Sequence, residues 1–156
     1  MNEAEYCRAK GRIERVAAKW KPIIASSWDI SQHFYDGPLP DGERGYIDAV
    51  AETRGNWYYK HAMISWSVEH MRGLDDAELD RVVIHELIHC VLDAMTCYAR
   101  NEYGESCPQG IVEQTTTEMT WALYGAYTSG WNEGVSESQP DVYDQMAASV
   151  GKFIHG

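Results

Sequence analysis

The chain has 156 residues, enough for one domain (1–156) that buries roughly 68–70% of the surface its unfolded form exposes, so a core needs neither disulfides nor a metal. Hydrophobic residues make up 44% and charged residues 24%, a globular balance that excludes extended disorder. The formal net charge of −11 repels phosphate backbones and anionic lipid, which argues against nucleic-acid and membrane partners.

In chain order, residues 3–20 carry Tyr6, Ile13, Val16, Ala17 and Trp20 at helical spacing, and Pro22 is expected to end that helix. Residues 28–34 suit a strand, residues 37–45 a loop, and residues 46–52 a second, weakly alternating strand. Arg54-Gly55-Asn56 has turn composition. The best strand candidate is 57–68, with Tyr58, Ala62, Ile64, Trp66 and Val68 on one face. Asp75 then stands as a helix N-cap with Glu78 in the capping-box position, and that helix should run to about residue 98. Further helices are expected over about 111–128 and 141–154, the last with Val142, Met146, Val150 and Phe153 or Ile154 as its stripe. A helix, a run of strands and then helices predict an α+β domain with a small, mostly antiparallel sheet.

The sequence starts without an apolar segment of the signal-peptide kind, and no run approaches ~18 apolar residues. The expected location is the cytoplasm, with Cys7, Cys90, Cys97 and Cys107 reduced. Cys90 and Cys97, about 10 Å apart by helical rise, are too far apart to bridge and suit core thiols.

The chemistry lies in His85-Glu86-Leu87-Ile88-His89, an H-E-x-x-H. On a helix, residues four apart are offset by about 40° and about 6 Å of rise, so both imidazoles can converge on one tetrahedral zinc. Glu86 projects about 100° from His85, outside the ligand set but near enough to act as general base on a water the metal activates. Two surface histidines on an ordinary amphipathic helix are the plain alternative. The flanking Ile84, Leu87, Ile88, Val91, Leu92 and Met95 speak against it, because they form a wide apolar face with the histidines at its edge.

A catalytic zinc takes three protein ligands and leaves its fourth position open. Glu113 and Glu118 on the next helix are the candidates for the third. If Val112, Thr116, Met119, Leu123 and Tyr127 face inward, Glu113 lies about 80° from the centre of that face and Glu118 about 140°, so Glu113 is preferred. For either, an exposed helix carboxylate is the plain alternative, and Glu113 in the first turn also suits the helix dipole. Asp93 cannot join the set, since ligands at i, i+4 and i+8 spread over about 12 Å. It suits a partner for an imidazole or an exposed position. No motif places His33, His61, His70 or His155.

His85-Glu86-Leu87-Ile88-His89, preceded by Asp75-Asp76-Ala77-Glu78-Leu79 and followed by Glu113, resembles zincin metallopeptidases of the gluzincin type, and more closely the compact metallopeptidase-like proteins encoded by phages and prophages. Repressor-cleaving metallopeptidases of the cytoplasm carry the same elements. The resemblance covers about residues 57–127. It implies that Glu113 is the third ligand and that residues 63–68 form the edge strand of the cleft, along which an extended substrate adds as a further strand. Thr117 departs from the pattern, because many gluzincins have an Asp four residues after the ligand Glu. An oxyanion donor could come from Tyr103, Tyr124 or His70, and nothing selects among them.

The function expected is therefore a zinc-dependent metallopeptidase acting on a protein or peptide, with Glu86 catalytic and His85, His89 and Glu113 on Zn2+. Two other readings stand beside it. One is a zinc-binding interaction protein on the same scaffold without turnover, its 10 Tyr and 6 Trp serving a partner. The other is a chain without metal whose histidines are hydrogen-bonded in the core.

Overall fold

A computed structural model describes residues 1–40, 50–103 and 109–129 of the chain. The fold is α+β. Helix α1 (Glu3–Ile24) leads to strand β1 (Asp29–Tyr35). Strands β2 (Ala51–Asn56) and β3 (His61–Ser67) follow, then the short helix α2 (Val68–Met71) and the long helices α3 (Asp76–Tyr103) and α4 (Gln109–Thr128). The helix expected over 141–154, with His155, and the loop residues 41–45 lie outside the described residues, as does Cys107.

Helix α1 starts on a capping box in which Asn2 and Glu5 satisfy each other's backbone N–H. It does not stop at Pro22 but runs to Ile24, and the N–H of Ala25 closes it on the carbonyl of Lys21 at 2.9 Å. This close to the end, a proline removes one backbone bond without breaking the last turn. Its apolar stripe is buried at Ala9, Ile13, Ala17 and Trp20.

The sheet has the order β1-β3-β2, with β1 parallel and β2 antiparallel to β3, so it is mixed rather than mostly antiparallel. β3 is central, which corrects the expectation that residues 63–68 form the edge of the cleft. Both of its sides are taken, and among the described residues the antiparallel edge of the sheet is β2. The strand expected over 57–68 is also shorter. Residues 57–60 form the β2–β3 turn, with Lys60 at φ 49, and Val68 begins α2. Arg54-Gly55-Asn56 accordingly ends β2 rather than turning, and Tyr58 stands in solvent, 73% exposed. Ala62, Ile64 and Trp66 are fully buried, as the alternation predicted. β2 starts at Ala51, so only the end of the expected 46–52 strand falls among the described residues.

Helix α3 begins as expected. The N–H of Asp75 donates to Glu78 Oε2 at 2.9 Å, and the N–H of Glu78 donates to Asp75 Oδ1 at 2.7 Å. Its first half lies between the sheet and α1, where Leu79, Val83, Ile84, Leu87 and Ile88 join Trp20, Ile64 and Trp66 in one core. Polar ties fix its position along α1. Arg12 reaches Asp76 and the carbonyl of Leu74, while Lys19 and the Trp20 indole both donate to Asp80. The expected apolar face does not persist along the helix. Val91 is 41% and Met95 60% exposed, because α3 outruns the short sheet that covers its first half. Cys90 is buried and Cys97 half-buried. Among the described residues no helix is long and apolar enough to cross a membrane.

Candidate metal centre

Helix periodicity alone brings His85 and His89 together. Their Nε2 atoms lie 3.0 Å apart, with the rings edge to face at 79°. Helix α4 packs against α3 and supplies the third donor: Glu113 Oε2 lies 3.3 Å from His85 Nε2 and 3.5 Å from His89 Nε2. Ligands about 2.0–2.1 Å from a tetrahedral zinc stand about 3.3–3.4 Å from one another. The three observed separations bracket that edge, so the donors are arranged as one face of a coordination tetrahedron. All three are only part-buried, which leaves the outward side of this face open.

The helix arithmetic that preferred Glu113 holds. Glu118 is exposed, and its Oε1 accepts from the Gln114 side chain instead. On the inward side of α4, Thr116 and Thr120 are buried, each donating its hydroxyl at 2.8 Å to a carbonyl of its own helix, while Val112, Met119, Leu123 and Tyr127 are half-buried. The two imidazoles hold Glu113 well below the usual carboxylate range through hydrogen bonds, against a smaller opposing effect of burial.

Glu86 is buried, with 7% of its surface exposed. Burial raises its carboxyl above the ordinary value, opposed in turn by the His89 imidazole, a hydrogen bond from Thr53 and the His85 imidazole. The Thr53 hydroxyl donates to Glu86 Oε2 at 2.6 Å and lies 3.2 Å from the Glu86 carbonyl. Thr53 belongs to β2, so this strand and the expected base are joined directly. Sequence reasoning missed Thr53, since no motif marks a threonine on a short strand.

Among the described residues no other histidine joins this group. His70 is exposed, and its Nδ1 lies 2.7 Å from the Ser67 hydroxyl, which also donates to the carbonyl of Gly37. His33 and His61 are exposed. The side chains of Asp93 and Tyr103 lie outside the description. Tyr124 is half-buried under the Arg81 guanidinium, 5.5 Å from its ring centre. Beside the centre a cavity of about 310 Å³ is walled by Val50, Ala51, Val82, Thr120 and Trp121, with Arg81, His85 and Glu86 also lining it. A volume of this order sits at the small end of ligand sites.

No family model, no curated protein and no solved structure matches this chain. What is known of the site is therefore its geometry: two imidazoles and a carboxylate within metal-holding distance of one another, a buried carboxylate next to them, and a cavity that His85 and Glu86 line.

Proposed function

We propose that this protein is a zinc-dependent peptidase of the zincin type, similar to the compact phage-borne group. The observation that carries the reading is the triangle of His85, His89 and Glu113, whose edges suit tetrahedral zinc, with Glu86 buried alongside but outside it. Two neutral nitrogens and one carboxylate oxygen form a donor set of the kind zinc takes in catalytic sites. When bound there, zinc supplies Lewis acidity at an open fourth position.

The chain's own residues do the rest. Glu86, held by Thr53, takes a proton from the attacking water and delivers it to the departing amine. Its raised affinity for protons suits that double role, because a base poised nearer neutrality can both accept and return the proton. Among the described residues β2 has one side without a strand partner, on which an extended peptide would add as a further strand. The substrate is proposed to be a protein or peptide, in the cytoplasm.

A second reading, a zinc-binding interaction protein without turnover, draws on one observation. Trp57, Tyr58 and Tyr59 at the β2–β3 turn stack edge to face on one another while 45%, 73% and 74% exposed. One experiment separates the two. Untagged protein should contain zinc near one equivalent by elemental analysis, and Glu86→Gln should keep that zinc while losing cleavage of a peptide library. Zinc with no cleavage by the unaltered chain would favour the interaction protein, and absence of zinc would end both readings.

A further inference from the structure

The cavity beside the metal centre contains a cation with no assigned task. Arg81 lies one turn before His85 on the same face of α3, about 6 Å along the helix axis, and lines the cavity with His85 and Glu86. Its guanidinium carbon lies 4.9 Å from the centre of the Trp121 ring and 5.5 Å from that of Tyr124. Arg12 and Arg54 each engage a carboxylate, whereas among the described residues none lies within ion-pair distance of Arg81. Arg8, Arg15 and Arg72 likewise have none there, but of these four Arg81 is the one that lines this cavity and lies over aromatic rings. Two aromatic faces hold the planar group in place without using up its N–H donors, which leaves its fork available for a two-point contact.

We infer that Arg81 is a specificity-determining residue that receives a carboxylate of the substrate, borne on the residue whose side chain enters this cavity. The inference rests on the reading of the site as a zinc centre. Three observations carry it. The cavity walls at Val50, Ala51, Val82 and Trp121 are largely apolar, so Arg81 is the group in them that selects by charge. With a divalent ion in place, the charges of Glu86 and Glu113 are balanced, and Arg81 leaves the cavity with one net positive charge, matched to a monoanion. The separation of one helical turn, about 6 Å, spans about two residues of extended peptide and so places the anion within about two residues of the bond that would face the metal. The carboxylate can come from an acidic side chain or from the free end of a peptide, and the two sources share this chemistry.

Small thiol probes that ligate zinc test this by binding, without turnover. N-mercaptoacetyl-leucine, its carboxamide, and the α-amide of N-mercaptoacetyl-aspartate would be titrated calorimetrically into the zinc-loaded full chain. The free acid or the aspartate probe, or both, should bind about tenfold or more tighter than the leucine carboxamide, the scale of one charge-assisted bidentate contact. A gain by the leucine acid alone assigns the site to chain ends, and a gain by the aspartate probe assigns it to acidic side chains. In Arg81→Met the advantage should shrink below about threefold, with zinc content unchanged. Arg81→Lys, which keeps the charge but not the planar fork, should fall between the two and serves if Arg81→Met does not fold. Equal binding of all three probes to protein that carries its zinc would overturn this inference and leave the metal centre standing, as would an advantage that survives in Arg81→Met. Protein that takes up no zinc would remove the inference together with the reading beneath it.

Discussion

The two sides of α3 make opposite use of one helix. Toward the sheet and α1, Leu79, Val83, Ile84, Leu87 and Ile88 are almost wholly shielded from water. Toward α4, the His85 and His89 side chains keep 24% and 19% of their surface exposed and that of Glu113 keeps 44%. The first side holds the helix in place; the second presents two imidazoles at a fixed spacing beside Glu113. Because both sides belong to one rigid rod, the core determines where the imidazoles point, and the site can remain open without losing its geometry.

The sharpest way to break that division is from the core side. Leu87→Ala should cost about 2–5 kcal/mol in denaturant unfolding, by lost burial plus the cavity left behind, and zinc should be lost along with the fold. His89→Ala, two residues away on the other side, should abolish stoichiometric zinc while changing the stability of the metal-free protein by under about 1 kcal/mol. If the two variants destabilised the metal-free chain equally, the faces would not be separable.

Glu86→Gln sharpens the comparison, since this residue belongs to the site yet is buried like the core. Its folded-state proton affinity is raised, so the folded protein binds the proton more tightly than the unfolded chain. Stability therefore falls as pH rises from the ordinary carboxylate value through the raised one. Removing the charge should raise the melting temperature of the metal-free protein at pH 7, by an amount equivalent to about 1 kcal/mol, with the gain vanishing near pH 4. A variant less stable than the parent at pH 7 would show that the carboxylate is not penalised by its burial.

The smallest effect is expected for Thr53→Val, which keeps volume but removes the donor to Glu86. Zinc content should not change. Turnover should drop by about 10–100-fold, the usual effect of losing a group that orients a site residue. The acid limb of the rate profile should move to higher pH, because the hydrogen bond it removes favours the ionised form. Unchanged turnover would make Thr53 a packing residue only.

What the sequence made legible is what depends on neighbours along the chain. The Asp75–Glu78 box, the pairing of His85 with His89, and the preference for Glu113 over Glu118 all follow from helical angles. Strand partners do not. β3 has the most strand-like composition because it is paired on both sides, and the same burial removed it from the edge position expected of it. Thr53 reaches Glu86 across 33 positions, a distance at which no local pattern carries information. The turn at residues 57–60 was hidden for a related reason. Its aromatic residues suit a strand by propensity, whereas Gly55 and Asn56, which suit a turn, complete a register set by β3.

The buried pair on α4 has a consequence for which ion the proposed site would favour. Thr116 and Thr120 are short, and their hydroxyls are spent on their own helix, so α4 can approach α3 without bulky side chains between them. That spacing would act as a caliper for the proposed site, through how far Glu113 stands from the imidazoles. A larger cation such as calcium, which prefers about 2.3–2.6 Å and more oxygen donors, would have to pry the helices apart. At the proposed metal site, discrimination among metals would thus be exercised by two side chains outside the ligand set.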